Sequence, residues 1–419
     1  MIQPSATLAI GAICAATTTG ILIRPFRLPE AVWATTGALL VVLLGLLPPT
    51  AAIHAVGEGG DVYLFLIGMM LLSEAARVHG LFDWTAAWAV RHAHGSPTRL
   101  FALVFAVGVV VTTFLSNDAT AVVLTPAVYA AARRGRVDPL PLLFACAFVA
   151  NAASFVLPIS NPANLVLYGG HMPPLGEWLR SFAAPSAVAI GLTYTMLRFV
   201  QRTQLKGACA TDIALPELTS AARFALGGIV VTAILLLTAS ARDWQLGWPT
   251  CIAGIATAIV VQASARQTPL PLLKHISWSV LPLVAGLFVL VEALASTGMI
   301  AAIAQWIAIS TQTAPLATAA SAGGAIALLS NVVNNLPAGL VAAQTLSAAQ
   351  PPRIVVDAVL IGVDIGPNLS ITGSLATILW LSAIRREGED VGFWRFLKVG
   401  SAVMIPATIG AIGCRLLIG

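Results

Sequence analysis

The sequence predicts an all-α polytopic membrane protein: two inverted repeats, ten membrane crossings, and two re-entrant hairpins with unwound helices at the midplane. Three observations predict it. Hydrophobic residues make up 58% of the 419 residues and charged residues only 9%, against about a quarter charged in soluble domains. Apolar windows of about 18 or more residues, the length that spans a bilayer, recur along the chain. Polar, helix-breaking runs interrupt those windows at Phe114–Asp118, Pro158–Asn164, Leu329–Asn335 and Asp364–Asn368, the last running on to Thr372-Gly373-Ser374. In hydrocarbon, broken backbone persists only where protein buries it or a wet cavity takes it up. Two such breaks per half point to a midplane site in a transporter.

The elements follow in order. Residues 1–60 hold two spans, 5–23 and 29–47. The run Ser5–Ile23 lacks a basic leader and a small-x-small cleavage site before a soluble domain, so it reads as a span and not a signal peptide. Residues 61–200 form the first repeat: span 61–79, hairpin 99–132, broken helix 139–170 and span 182–200. The basic stretch 201–221, with Gln201, Lys206, Gly207, Asp212 and Pro216, is a cytoplasmic linker. Residues 222–419 form the second repeat: spans 222–240, 248–265 and 276–297, hairpin 314–349, broken helix 354–384 and span 397–417. Segments 81–94 (Phe82, Trp84 and Trp88 beside Arg91, His92 and His94) and 171–182 read as interfacial amphipathic helices.

Positive charge orients the chain. With the N-terminus outside and residues 99–132 and 314–349 as hairpins, 18 of the 22 Lys and Arg fall inside. Only Arg180, Arg242, Arg353 and Arg415 fall outside. With both segments as single crossings the split becomes 11 to 11, which favours the hairpins. The net charge of +5 reflects these basic loops and calls for no nucleic acid.

An internal repeat agrees with that topology. Glu74-Ala75 and Gly80 match Glu292-Ala293 and Gly298 at an offset of 218. Leu115-Ser116-Asn117 matches Leu329-Ser330-Asn331 at 214, and Asn151 and Asn164 match Asp364 and Thr377 at 213. Span 61–79 runs inward and span 276–297 outward, so the repeats are inverted.

The candidate functional residues are the polar groups of the breaks. Ser116 and Asn117 suit helix capping at a hairpin tip, where helix ends also serve as a ligand platform. Asp118 and Asp364 are carboxylates within apolar runs, which costs about 2.5–3.5 kcal/mol on insertion scales, so they are proton-carrier candidates. Local pairing of Asp364, with Asn368 for example, is the alternative. Asn151, Ser160, Asn161 and Asn164 in the first half, and Asn331, Asn334, Asn335, Thr372, Gly373, Ser374 and Thr377 in the second, offer donors and acceptors to a small hydroxylated solute. Each taken singly also suits interhelical hydrogen bonding. Glu74 has Arg77 three residues on for a local pair, whereas Glu292 has no such neighbour. Five isolated cysteines and six loop histidines form no metal-ligand spacing. There is no P-loop and no nucleophile–base pair, so an enzyme is not expected, and no cofactor.

These motifs resemble a known family. Asn117-Asp118-Ala119-Thr120-Ala121-Val122-Val123-Leu124-Thr125-Pro126 is similar to the N-D-G-A-A-L-I-L-T-P signature of the arsenite efflux pumps (ArsB type). Asp364-Ile365-Gly366-Pro367-Asn368 with Thr372–Trp380 is similar to that family's D-L-G-P-x-x-T-P-x-G-S-L-A-T-L-L-W, and Asn334-Asn335-Leu336-Pro337 resembles M-N-N-M-P. Ser160-Asn161 followed by Asn164-Leu165-Val166 also fits. Ala119 in place of Gly, and Pro162, are departures that remove no polar group. The resemblance runs from about residue 60 to the C-terminus. It implies the ion transporter superfamily fold in a bacterial cytoplasmic (inner) membrane. It also implies efflux of arsenite and antimonite driven by the proton gradient, in some bacteria with a cytosolic ATPase partner. Arsenous acid is neutral near physiological pH and carries three hydroxyls, which suits amides and hydroxyls. The absence of Lys or Arg at the breaks argues against a carboxylate or phosphate. The rival readings are a sodium-coupled carboxylate or sodium/proton transporter of the same superfamily, and a passive channel.

The hairpin topology has a direct check. Arg134→Cys should react with a membrane-impermeant thiol reagent from the cytoplasmic side only, and labelling from the opposite side would refute the first hairpin.

Overall fold

The computed structural model describes residues 4–168, 172–210 and 215–419, and every regular element among them is a helix. Seven helices are long and apolar enough to cross a membrane. The number rises to nine when two bent pairs, Pro49–Glu58 with Gly60–Val78 and Val280–Ser296 with Met299–Thr313, are each one span. The outer surface is apolar: Leu43, Ile53, Val231, Ile259, Val332 and Ile409 all stand more than half exposed. Apolar exposure on this scale is a liability in water and suits lipid. The protein is polytopic in the membrane.

The expected broken spans fall short of a full apolar helix because each is cut at its centre. Pro139–Ala152 stops before an irregular stretch with a short turn at Pro158–Ser160, and the chain resumes as Pro162–Tyr168. Arg353–Ile365 gives way to the turn Gly366–Leu369 and resumes as Leu375–Arg386. The hairpin segments are also cut. Pro97–Phe114 ends at Leu115, and Ser116 caps the short turn Asn117–Ala119, which leads through a wide turn at Thr120–Leu124 to Thr125–Arg134. Pro315–Val333 ends at Asn334, whose φ of 75° breaks the helix, and Asn335–Ala349 follows.

The landmarks of the two halves recur, with one change of register. Gly80 and Gly298 both take left-handed backbone, φ 77° and 85°, and both open a helix, a conformation glycine adopts without cost. Pro97 and Pro315 both stand in the first turn of their helices, Pro97–Phe114 and Pro315–Val333. The tips are Ser116-Asn117 and Asn334-Asn335, which keeps the offset at 218 and pairs Asn117 with Asn335. The expected partner, Asn331, lies inside the helix one turn before the tip. The shared Leu-Ser-Asn letters misled because a helix end is set by its cap and not by the triplet.

Three further differences concern helices. Segment 171–182 is not a separate interfacial helix: Leu175–Val200 is continuous, and Pro185 inside it does not end it. An apolar face runs on through Trp178, Phe182 and Ala189, all fully buried. Residues 169–171 of that segment and of the first broken span, and Asp212 of the linker, lie outside the described residues. Met299–Thr313 is a helix that the sequence analysis left unassigned, the counterpart of Leu81–His92, and Pro49–Glu58 is another.

The halves interleave. Pro162–Tyr168 of the first half packs against Asn335–Ala349 of the second, and Leu375–Arg386 of the second packs against Thr120–Leu124 and Thr125–Arg134 of the first. Trp380, fully buried among Phe144 and Phe396, donates its indole N–H to the Leu143 carbonyl at 2.8 Å.

A buried ion cluster braces one end of this core. Asp357 is fully buried and accepts from Arg415 Nε at 2.9 Å and from the Tyr168 hydroxyl at 3.0 Å. Arg353 lies 3.7 Å from the same carboxylate and pairs with Glu177. The charge count read Arg415 and Arg353 as outer charges only, yet Arg415 is itself buried. Removing one member of a buried pair strands the other. Arg415→Met should therefore lower stability by about 3–5 kcal/mol, with the double change Asp357→Asn/Arg415→Met losing less. Thermal unfolding in detergent measures both.

Candidate functional site

The four breaks meet at the centre of the protein. The two broken spans cross there: Asn151 Nδ2 donates to Asn368 Oδ1 at 3.0 Å and to Thr377 Oγ1 at 3.4 Å, and Asn368 Nδ2 donates to the Phe148 carbonyl at 3.0 Å. Asn161 Nδ2 donates to Asp364 Oδ1 at 2.5 Å. The second Asp364 oxygen has no hydrogen-bond partner, and the residue is fully buried. Asp364 thus pairs with Asn161 of the other half and not with Asn368.

Many of the expected solute-binding groups are engaged in holding the breaks. Asn331 donates to the Ala327 and Gly366 carbonyls, both at 2.8 Å, and accepts from Ser370 N and Oγ, both at 2.9 Å. Asn164 donates to the Ser154 and Pro158 carbonyls at 2.9 and 3.3 Å. Ser160 Oγ donates to the Thr113 carbonyl at 3.0 Å and accepts from Leu157 N. Asn334 accepts from Leu336 N and donates to the Thr372 carbonyl, each at 3.3 Å. Thr372 Oγ1 donates to the Asn331 carbonyl, and Ser374 Oγ caps its helix at Thr377 N and meets Thr377 Oγ1 at 2.7 Å. Gly373 accepts from Asn335 N at 2.8 Å through its carbonyl and donates its N–H to the Ser370 carbonyl at 3.2 Å. A Cβ there would come within 2.6 Å of Asn331 Oδ1 and Pro367 Cα, so no larger residue fits.

Three asparagines remain at an open space. A cavity of about 30 Å³ is lined by Asn117, Asp118, Asn161 and Asn335 together with Leu66, Pro162, Val280, Leu336 and Leu375. It joins the turns at Asn117 and Asn335 to the first broken span at Asn161. By the space one water needs, it has room for about two waters. Among its lining residues there is no Lys or Arg. Asp118 faces this cavity. Asp364 does not, and it touches the wall only through Asn161. Ser116 caps its turn at Ala119 N, 3.2 Å away, and faces a neighbouring cavity together with Asp118.

Two further polar residues belong to this centre, Ser154 and Asn368. Ser154 Oγ donates to the Asn151 carbonyl at 2.7 Å, and Asn368 links the two breaks. Position offered a signal for both: Ser154 lies three residues past Asn151, and Asn368 closes the Gly366-Pro367 break.

The Asn161–Asp364 bond can be weighed by substitution. Leaving a buried acceptor unsatisfied costs about 1–3 kcal/mol, more when it is charged. Asn161→Ala should lose at least that in detergent unfolding, and Asn161→Asp should lose more at neutral pH than at acid pH.

Comparison with known proteins agrees with this architecture. The structure of the Alcanivorax borkumensis YdaH transporter superposes with a TM-score of 0.62 at 16% identity, covering 99% of this chain and 98% of that one, which shows a shared fold. A "46 kDa membrane protein" of Mycobacterium leprae is 25% identical over 403 residues, covering 92% of each chain. The "Arsenical pump membrane protein" of Escherichia coli K12 is 25% identical over 428 residues, covering 97% of this chain and 98% of that protein. The family model "CitMHS: Citrate transporter" matches residues 17–384, so the chain belongs to that family of membrane transporters and is not an enzyme.

Proposed function

We propose that the protein expels neutral trivalent arsenic or antimony hydroxides from the cytoplasm in exchange for protons. The observation that carries this reading is the central cavity: three asparagine side chains, one carboxylate and no cation around a space for a few heavy atoms. Asparagine amides both donate and accept, as do the hydroxyls of such a solute. The name of the Escherichia coli relative points the same way. We assign Asn117, Asn161 and Asn335 to the solute. Ser116, Asn151, Ser160, Asn164, Asn331, Asn334, Thr372, Gly373, Ser374 and Thr377 hold the breaks that shape the cavity.

Coupling follows from Asn161, which touches both cavity and acid. While Asp364 is ionised it holds the Asn161 amide. Protonation of Asp364 turns that charge-assisted bond into a weaker neutral one, which frees the Asn161 amide to turn toward the solute space. Asp118, on the cavity wall, is the second proton carrier. On this reading the chain is two inverted repeats with re-entrant hairpins dipping from opposite faces, in a bacterial cytoplasmic membrane.

A second reading has its own support: the family is described by citrate. A tricarboxylate would need compensating positive charge, and the lining of the central cavity supplies none. Proteoliposomes under an imposed pH gradient separate the two. We expect arsenite flux that follows the proton gradient, ignores sodium and is abolished in Asp364→Asn. Citrate or sodium flux without arsenite flux would reject the proposal, and wild-type arsenite rates in Asp364→Asn would remove that residue from coupling.

A further inference from the structure

Asp118 faces two cavities. Besides the central one, it lines a second space of about 80 Å³ together with Ser73, Glu74, Ser116, His275 and Ser277. The two share Leu66, Asp118, Pro162 and Val280 as walls, so Asp118 stands at the junction. The second space has room for several waters. Its far end reaches the protein surface, where His275 and Ser277 are exposed. By the distribution of Lys and Arg this is the cytoplasmic end. Glu74 lines the same space, buried and gripped by Arg77, whose Nε and Nη2 donate to its two carboxylate oxygens at 2.7 and 2.5 Å. Here the carboxylate keeps contact with both Arg77 and the cavity.

We propose that this space is the cytoplasmic proton passage of the transporter, with Glu74 as the carboxylate that relays the proton between Asp118 and bulk water. The inference rests on the proton-coupled reading above and adds a route and a residue to it. The proton leaves the Asp118 carboxyl, crosses cavity water to the Glu74 carboxylate and passes on to water at His275 and Ser277. Both carboxylates end ionised, and one proton has been delivered to the cytoplasm. Arg77 fixes the Glu74 carboxylate at the wall of this space. Among the described residues, His275 is the only other titratable group on the lining. The wide cavity of about 1090 Å³ at the other end of the same helices, lined by Glu58, Asp61, Tyr168, Glu292 and Gln344, would admit the proton from outside.

Two measurements test the proposal. In a background without the native cysteines, Ser73→Cys should react with a small membrane-impermeant methanethiosulfonate from the cytoplasmic side and not from the other. This arm needs no transported solute, so it stands or falls separately from the arsenite reading. Glu74→Gln should slow pH-driven net flux at least tenfold while solute-for-solute exchange, which moves no net proton, continues, and Glu74→Asp should recover much of the loss. An unreactive Ser73→Cys, a wild-type net rate in Glu74→Gln, or exchange lost together with net flux would each overturn the proposal. The last result would mark Glu74 as structural.

Discussion

The structure depends on one constraint: backbone broken inside hydrocarbon must find its hydrogen-bond partners within the protein. Asparagine meets that demand, because one amide can donate to a freed carbonyl and accept from a freed N–H. Asn331 does both, reaching Gly366 O and Ser370 N across the second half. Asn164 ties the Ser154 and Pro158 carbonyls of the first break. Asn368 takes the Phe148 carbonyl of the opposite broken span. Without such groups the four interruptions would anneal into helix or draw water through the core.

The constraint also sorts the polar residues by role. A side chain whose donors and acceptors are spent on backbone has little left for a solute. Asn117, Asn161 and Asn335 also face the cavity, with Asp118 beside them, although Asn117 Oδ1 accepts from Asp118 N at 2.9 Å and so leaves mainly its amide N–H groups for a solute. Asn161 belongs to both groups, since its carbonyl oxygen caps Ala163 N at 3.0 Å while its amide holds Asp364. One residue is thus shared between the frame, the carboxylate and the open space. On the proposed function, this sharing lets a proton and a neutral solute influence each other without touching.

Much of the helical fold was legible because apolar runs and the interruptions in them are conspicuous. The four breaks, the capping role of Ser116 and the Glu74–Arg77 pair are all visible in the letters. What could not be read was partnership across the halves. Asp364 meets Asn161 at a separation of 203 residues, and nothing local marks the choice over Asn368, four positions away. Arg415 looked like an end-of-span charge because no sequence rule connects it to Asp357, 58 residues earlier. The register of the second hairpin failed because Leu-Ser-Asn occurs in both halves, but the turn that breaks the second helix comes at Asn334.

The interleaving of the halves bears on how the chain is made. Asn151 waits for Asn368, 217 residues downstream, and Asn161 waits nearly as long for Asp364. Until the ribosome has delivered the later half, the earlier one sits in the bilayer with polar groups unmatched and its Pro162–Tyr168 arm lacking a neighbour. The first half is thus an unfinished surface, dependent during biogenesis on lipid headgroups, water or an insertase. Maturation of the pocket is a late, long-range event in assembly.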